Sequence, residues 1–135
     1  MADKLNFSLV APEREVFNGQ VDQVVVPGVE GEFGVLVNHA PVMSIIKPGV
    51  LRIFDGSAER RIFVFGGFAD VAPDGLTVLA EEAIEDFASV DVAGLDQELK
   101  DAEEDLRDAA DDAGRASAQR AIERATALKA AIAAR

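Results

Sequence analysis

Residues 50–79 read VLRIFDGSAERRIFVFGGFADVAPDGLTVL, and this stretch decides the fold class. Three runs rich in β-branched, aromatic and leucine residues follow one another in it, at 50–54, 62–65 and 76–79. Such residues fit the pleated surface of a sheet, and the glycine-containing segments between the runs are typical of turns. Because the turns recur roughly every ten residues, the pattern predicts an antiparallel β-sandwich or β-barrel.

The same pattern extends toward the N-terminus. Further apolar or alternating runs lie at 5–9, 21–26 and 33–37, and the second of them is apolar on nearly both faces. Turns are predicted at Asn18-Gly19, Pro27-Gly28, Pro48-Gly49, Asp55-Gly56, Gly66-Gly67 and Pro73-Asp74-Gly75. Together the runs and turns predict one β domain over residues 1–87.

The composition changes near residue 88. All eight Phe and all five Pro precede that point, whereas fourteen Ala and no aromatic residue follow Val92. Ala, Leu, Glu, Lys and Arg favour helices, and apolar residues recur there at steps of three and four. The two apolar stripes are Leu95, Leu99, Ala102, Leu106, Ala109 and Ala113, and then Ala118, Ile122, Ala125, Leu128 and Ile132. Residues 88–135 are therefore predicted to form an antiparallel hairpin of two α-helices, at about 91–112 and 115–134.

The predicted helix ends depend on a few residues. Gly114 can adopt the left-handed conformation that ends a helix, so it is expected to close the first one. Ser89 and Asp91 are alternative caps for the start of the first helix, and Ser117 is expected to cap the second.

The charge of the chain is strongly acidic. It carries 13 Lys and Arg against 25 Asp and Glu, a formal net charge of −12. A protein with this balance repels a phosphate backbone, so no nucleic-acid partner is expected. The two predicted helices differ in sign, because residues 91–112 carry −8 and residues 115–135 carry +4. Opposite signs favour docking of the two helices, although an exposed ion pair contributes only about 0.2–1 kcal/mol.

Missing residue types exclude several classes of activity. The sequence contains no Cys, which excludes disulfides, thiolate nucleophiles and Cys-based zinc sites, and its only His is His39. No apolar run approaches the ~20 residues needed to cross a bilayer, so no membrane insertion is expected. The first residues, MADKL, have the features of neither a signal peptide nor a transit peptide. We expect a soluble, acidic protein of a reducing compartment.

Three segments invite a chemical interpretation, and each has a simpler one. The acidic run 101–112 has helical period and lacks the mid-loop Gly of an EF-hand, which favours a solvated helix face over a cation site. The G-x-x-G-x-x-G spacing at 28–34 has no following helix, which favours glycines in turns over a phosphate loop. His39 lies in a loop without a nucleophile signature, which favours a structural hydrogen bond or an interface contact over catalysis. Taken alone, the residues favour a binding or scaffold module over an enzyme, with no catalytic residue, metal or cofactor.

Four segments of the predicted β domain carry a family resemblance, and they are residues 24–41 (VVVPGVEGEFGVLVNHAP), 46–49 (IKPG), 66–71 (GGFADV) and 77–83 (TVLAEEA). In this order they resemble the epsilon subunit family of F-type ATP synthases. The family signature, a strand that leads into E-G-E-hydrophobe-G and then H-A-P, is similar to the first segment, and the other three are similar to its later segments. The chain also resembles the mitochondrial delta subunit, but without a transit peptide the bacterial type is favoured.

The resemblance implies a non-catalytic central-stalk (rotor) subunit that couples proton flow to ATP synthesis. It implies that the chain binds the gamma subunit and the c-ring, with alpha and beta subunits in the assembled complex. It further implies a peripheral position at the cytoplasmic face of a bacterial inner membrane. The residues that it implies as contacts with the c-ring or gamma are Glu30, Glu32, Asn38, His39 and Pro41.

The helical part departs from the family pattern in two ways. Some relatives bind ATP through an (I/L)-D-x-x-R-A motif, and the matching segment 95–100, LDQELK, has Leu99 in place of the Arg. ATP binding by the hairpin is therefore not expected. In the family, braking of hydrolysis is attributed to basic helix residues, whereas the first helix here is acidic. The hairpin is therefore expected to be a weak regulator of hydrolysis.

Overall fold

Eight β-strands account for the first part of the chain in the computed structural model, which describes residues 3–134. Their bounds are β1 Leu5–Ala11, β2 Arg14–Val21, β3 Gln23–Gly28, β4 Gly31–Val35, β5 Val42–Ile45, β6 Gly49–Asp55, β7 Ala58–Ala72 and β8 Gly75–Ile84. The chain divides into two compact units, one ending at Glu85 and the other beginning at Asp86. We refer to them as the β unit and the helical unit.

The strands pair in the order β2-β1-β8-β7-β6-β3-β4, and β5 pairs with β7. Among the described strands, every pairing is antiparallel except that of β1 with β8, where Phe7 lies opposite Leu76 and Leu9 opposite Val78. These two strands lie at opposite ends of the β unit in sequence, so no tight turn imposes an antiparallel direction on them. The predicted β-sandwich is confirmed, with one parallel pair that the sequence did not indicate.

Alternating positions of the strands fill the core of the β unit. In β1, Leu5, Phe7 and Leu9 are buried, whereas the side chains between them are not. This follows from strand geometry, which sends successive side chains to opposite faces of a sheet. The ring of Phe7 packs against that of the partly buried Phe17 on β2, with 5.4 Å between the ring centroids.

The Gly66-Gly67 pair continues a strand, so the turn predicted there is wrong. β7 runs through both glycines, which have φ angles of 72° and 100°. Before the pair, the even-numbered Ile62 and Val64 face the core, whereas after it the odd-numbered Ala69 does. Positive φ angles often mark a turn. In β7 they instead change which residues of the strand point into the core, from even-numbered to odd-numbered positions.

Two strands, β2 and β5, were not predicted. The Asn18-Gly19 pair, predicted as a turn, lies inside β2, where Asn18 is opposite Ser8 and Gly19 is opposite Phe7. The turn lies earlier, at Pro12-Glu13. Proline sets the φ angle that a turn requires, and pairing with the buried strand β1 overrides the local preference of Asn-Gly.

The helical unit is a hairpin of two α-helices, as predicted, preceded by a short 3₁₀ helix at Phe87–Ser89. α1 spans Val92–Asp108 and α2 spans Asp112–Ala134, so the connection lies earlier than the sequence indicated. Asp91 rather than Ser89 caps α1, because its Oδ1 accepts a hydrogen bond from the amide of Ala93 at 3.1 Å.

Gly114 does not end α1, and the predicted cap at Ser117 is also wrong. The amide of Gly114 donates to Oδ1 of Asp111 at 2.7 Å, and the amide of Arg115 donates to the Asp111 carbonyl at 3.1 Å. Asp111 therefore caps α2, and Gly114 lies within its first turn. A side chain that satisfies the exposed amides of a first turn here outweighs the tendency of glycine to end a helix.

The opposite charges of the two helices meet in cross-helix ion pairs. Nη1 of Arg124 lies 3.4 Å from Oε2 of Glu98, and Lys129 pairs with Asp96. The predicted charge complementarity of the helices is therefore confirmed. The buried residues of the two helices are Leu95, Ala102, Ala118, Ala125, Leu128, Ala131 and Ile132.

A charged cluster ties Lys4, the residue before β1, to two turns of the β unit. Nζ of Lys4 lies 2.9 Å from Oδ1 of Asp22 and also pairs with Asp55, and the Gly56 amide donates to Oδ2 of Asp22 at 2.6 Å. The hydrogen bond from Gly56, followed by that from Lys4, lowers the pKa of Asp22 from its ordinary 3.8. Hydrogen bonds to Asp55 and then Asp22 raise the pKa of Lys4.

Candidate functional site

The turn between β3 and β4 presents two acidic side chains. Val29-Glu30 form this turn, and the predicted turn residues Pro27-Gly28 instead end β3. Gly31 follows with a φ of 131°, a conformation that residues with a side chain rarely adopt. Glu32 is exposed on β4, and its Oε1 lies 3.6 Å from Nη2 of Arg52 on β6.

The loop after β4 is held by backbone hydrogen bonds. Asn38 has a φ of 66°, which Asn tolerates better than most residues, and its amide donates to the Pro73 carbonyl at 2.9 Å. The His39 amide donates to the Leu36 carbonyl at 3.2 Å, and Nδ1 of His39 lies 2.7 Å from the carbonyl oxygen of Ala40. Because a carbonyl only accepts, Nδ1 carries the proton in the neutral ring and Nε2 remains an acceptor.

Four of the five candidate residues line one cavity, which we call the notch. The notch has a volume of about 390 Å³, and Glu30, Glu32, His39 and Pro41 contribute to its walls. Its other lining residues are Gly31, Phe33, Ala40, Val42 and Ser44. Asn38 does not line the notch and instead anchors the loop through its backbone. The notch therefore combines two carboxylates and an imidazole with apolar walls.

A row of apolar side chains crosses four neighbouring strands of the β unit, and we call it the apolar band. Its members, Val10, Leu79, Phe68 and Ile45, lie opposite one another in turn on β1, β8, β7 and β5. The preceding or following residue on each of the first three strands faces the core, so the band points outward. We call the surface that carries it the outer face.

The apolar band is unusually exposed at its β5 end. Ile45 is 66% exposed, and Met43, which lies two residues away on the same side of β5, is 65% exposed. Leu79 is also exposed. Contiguous exposed apolar side chains are a common feature of protein interaction surfaces.

A row of polar side chains lies beside the apolar band on the outer face. These residues, the polar row, are Asn18, Ser8, Thr77 and Asp70, which lie opposite one another on β2, β1, β8 and β7. They line a shallow groove of about 240 Å³. Apolar and polar rows alternate along the outer face because side chains two residues apart share one side of a strand.

The outer face is not predicted by any local pattern of the sequence. Its members come from separate segments, and only the register between strands brings them into rows. The available signal was the run VMSI at 42–45, in which Met43 and Ile45 alternate with residues that line the notch.

Neither a metal centre nor a membrane-spanning helix is found in the part of the chain that the structure describes. Across residues 3–134, no three His, Asp or Glu side chains cluster in a way that could hold a metal ion. No helix in that range is both long enough and apolar enough to cross a bilayer.

Comparison with known proteins gives consistent matches. Residues 4–86 match the family model of the ATP synthase delta/epsilon chain β-sandwich domain. The chain is 52% identical to the ATP synthase epsilon chain of Maricaulis maris over 133 residues, covering 98% of this chain and 99% of that one. It is 47% identical to the epsilon chain of Mesorhizobium japonicum over 133 residues, covering 98% of each.

Two solved structures share the fold. One comes from the Euglena gracilis mitochondrial ATP synthase, OSCP/F1/c-ring in rotational state 1, with a TM-score of 0.82, 24% identity, and coverage of 98% of this chain and 83% of that chain. The other comes from the central stalk/c-ring of the Tetrahymena thermophila mitochondrial ATP synthase, with a TM-score of 0.64, 13% identity and 96% coverage of both chains. Because the family model covers most of the chain and the curated relatives match over nearly its full length, the chain belongs to the ATP synthase delta/epsilon family.

Proposed function

We propose that this chain binds the gamma subunit and the c-ring in the central stalk of an F-type ATP synthase and so couples proton flow to ATP synthesis. The observation that carries the proposal is the similarity to epsilon chains, which are 52% and 47% identical over 98% of this chain. The similarity spans both the β unit and the helical unit. The chain is a non-catalytic subunit of a membrane-associated complex. Its proposed position is peripheral, at the cytoplasmic face of a bacterial inner membrane, together with alpha and beta subunits.

The outer face is the proposed contact surface for gamma. Burying apolar area contributes roughly 25 cal/mol per Å², and Ile45 and Met43 offer the most exposed apolar side chains of the outer face. The part of the band on β1, β8 and β7 lies on strands that are paired on both sides, and β5, which carries Ile45 and Met43, is paired with β7. A rigid base of this kind suits a subunit that transmits torque.

The notch is the proposed contact surface for the polar loops of the c-ring. Glu30 and Glu32 give it negative charge, His39 offers a free Nε2, and Pro41 adds an apolar wall. Strand β5 contributes to both surfaces, because Val42 and Ser44 line the notch whereas the residues that alternate with them lie on the outer face.

Site-directed cross-linking tests both assignments. The chain has no Cys, so a single introduced Cys is its only thiol. In the assembled complex in membrane vesicles, a short cross-linker on Glu32→Cys is expected to capture the c subunit, and one on Ile45→Cys is expected to capture gamma. Asp105→Cys on the exposed side of α1 serves as the control. Capture of gamma alone by Glu32→Cys would show that the notch does not face the c-ring.

Co-purification separates this proposal from a free-standing scaffold module. A stalk subunit is expected to leave detergent-treated membranes together with gamma, alpha and beta. Recovery of the chain without those subunits would favour the scaffold function.

A further inference from the structure

Asp70 is the only charged residue among the eight members of the two rows, and Glu15 of β2 lies opposite Val10 at the far end of the apolar band. It lies on β7 between Met43 of β5 and Thr77 of β8, which are its directly opposite neighbours on the two flanking strands. Phe68, two residues earlier on the same side of β7, belongs to the apolar band. The carboxylate is therefore bordered by apolar side chains on two sides and by the polar row on a third.

The charge of Asp70 is not neutralised by any of the residues that the structure describes. Several carboxylates of the β unit form ion pairs, and these are Asp22, Asp55, Glu32, Glu59 and Glu85. Asp70 makes no ion pair and no side-chain hydrogen bond with any residue in the range 3–134. In water an exposed carboxylate requires no partner, but a protein that covers the apolar band also removes water from Asp70. A desolvated carboxylate without a counter-charge is strongly unfavourable, so the covering surface has to supply a cation.

The groove beside Asp70 indicates which cation fits. Ser8, Asn18 and Thr77 line the groove with Asp70, and a second acidic residue, Asp74, lines it as well. The side chains of Ser8, Asn18 and Thr77 make no hydrogen bond to another described residue. The volume of about 240 Å³ is several times the ~30 Å³ share of one water molecule. A guanidinium has five N–H donors in a planar fork, which suits a groove lined by two aspartates and further oxygen acceptors better than the point charge of an ammonium does.

We propose that Asp70 is a specificity-determining residue of the outer face and that it binds an arginine side chain of the gamma subunit, which enters the groove along the polar row. This inference rests on the proposed function, because it requires that gamma covers the outer face. It adds the chemistry by which gamma is recognised, since the apolar band provides buried area whereas Asp70 selects a partner with a cation at one position.

Binding of the full chain to purified gamma subunit tests this inference, with the dissociation constant measured at low and high salt. Asp70→Asn is expected to weaken binding at least about tenfold and to reduce its dependence on salt, and Asp70→Lys to weaken it at least about a hundredfold. Asp105→Asn is the matched control, because it removes the same charge from an exposed position on α1. Circular dichroism verifies that each variant is folded.

A parallel variant, Ile45→Asp, distinguishes failure of this inference from failure of the proposed function. If Ile45→Asp loses binding to gamma while Asp70→Asn keeps both its affinity and its salt dependence, the role of Asp70 is overturned. The outer face then remains the gamma contact. Unchanged binding of Ile45→Asp overturns both the role of Asp70 and the outer face as the gamma contact.

Arg→Glu substitutions in gamma, made one at a time, are expected to restore binding to Asp70→Lys at one position. Recovery only with a Lys→Glu substitution overturns the choice of arginine.

Discussion

The β unit and the helical unit are stabilised in different ways. The core of the β unit contains large side chains with almost no exposed surface, such as Phe7, Leu9 and Ile62. Four of the seven buried residues of the two helices are Ala. Full burial of a Leu or Phe side chain contributes roughly 1.5–3 kcal/mol, whereas a single methyl group contributes about 0.8 kcal/mol. Packing therefore stabilises the hairpin less per buried residue than it stabilises the β unit, and each cross-helix ion pair adds only about 0.2–1 kcal/mol.

The backbone shows the same contrast. Four glycines of the β unit have positive φ angles, whereas none of the glycines in the helical unit does. The β unit needs special backbone conformations to bend and join its strands, and the helical unit is regular apart from its short connection. Gly→Ala substitutions in the two units are therefore expected to differ in how far they lower the free energy of unfolding.

The largest effect is expected from Gly67→Ala in β7. An added Cβ would lie 1.7 Å from the carbonyl oxygen of Leu79, and the φ angle of 100° is unfavourable for any side chain. We expect a loss of about 3 kcal/mol or more of unfolding free energy. Because the chain has no Trp or Tyr, calorimetry and far-UV circular dichroism are the suitable measurements.

Two further glycines provide the controls for this prediction. Gly56 also has a positive φ angle, 62°, but an added Cβ would meet nothing within 4 Å, so Gly56→Ala is expected to cost only about 1–2 kcal/mol. Gly94→Ala in α1 is expected to change the unfolding free energy by no more than about 1 kcal/mol, because the helix preference of Ala is opposed by an added Cβ that would lie 3.3 Å from Oδ2 of Asp91. Equal costs at Gly67 and Gly56 would show that the contact with Leu79 is relieved by movement of the strands.

Reversal of one cross-helix charge is expected to loosen the hairpin without affecting the β unit. Lys129→Glu replaces the ion pair with Asp96 by a repulsion, and an exposed pair contributes about 0.2–1 kcal/mol. Amide hydrogen exchange within α1 and α2 is therefore expected to accelerate a few-fold, and 0.5 M salt is expected to reduce the difference. Lys100→Glu is the matched control, because Lys100 is exposed on α1 and forms no ion pair with another described residue. Equal acceleration by the two variants would mean that the hairpin responds to net charge rather than to the pair.

A smaller, pH-dependent effect is expected at the charged cluster of the β unit. Asp22 has a lower pKa in the folded chain than its ordinary 3.8, so the folded state binds fewer protons there than the unfolded state does. Its stabilising contribution is present above pH 3.8 and is lost as the pH falls through the folded pKa. Asp22→Asn is therefore expected to lower the melting temperature at pH 7 and to have a diminishing effect as the pH falls below 3.8. A melting-temperature difference that stays constant down to pH 2.5 would assign the effect to packing instead of charge.

The features that local patterns determine were predictable from the sequence. Alternating runs indicated the β-sandwich, and the three-four spacing with opposite charges indicated the hairpin. The motifs around Glu30, Glu32 and His39 indicated residues that the fold does bring together in one notch.

The features for which tertiary contacts override a local sequence preference were not predictable. Asn18-Gly19 and Gly66-Gly67 carry strong turn signals, but pairing with buried strands keeps both within strands. Gly114 yields to the capping side chain of Asp111. The outer face was not predictable either, because Ile45 and Leu79 become neighbours of Phe68 only through the register of three strands.

The smallest effect is the change in ATP hydrolysis that we expect when the helical unit is removed. Extension of the hairpin would break the pairs of Asp96 with Lys129 and of Glu98 with Arg124, and it would expose an acidic first helix, whereas braking in the family is attributed to basic helix residues. A switch also needs a ligand that prefers one state, and Leu99 replaces the arginine of the ATP-binding motif. We therefore expect a chain truncated after Ser89 to assemble, to support proton-coupled ATP synthesis, and to leave ATP hydrolysis by the complex almost unchanged. Hydrolysis rates of complexes with and without residues 90–135 check this, and the intact chain added back is the control. A several-fold rise on truncation that the intact chain reverses would mean that the hairpin acts as a brake despite its charge.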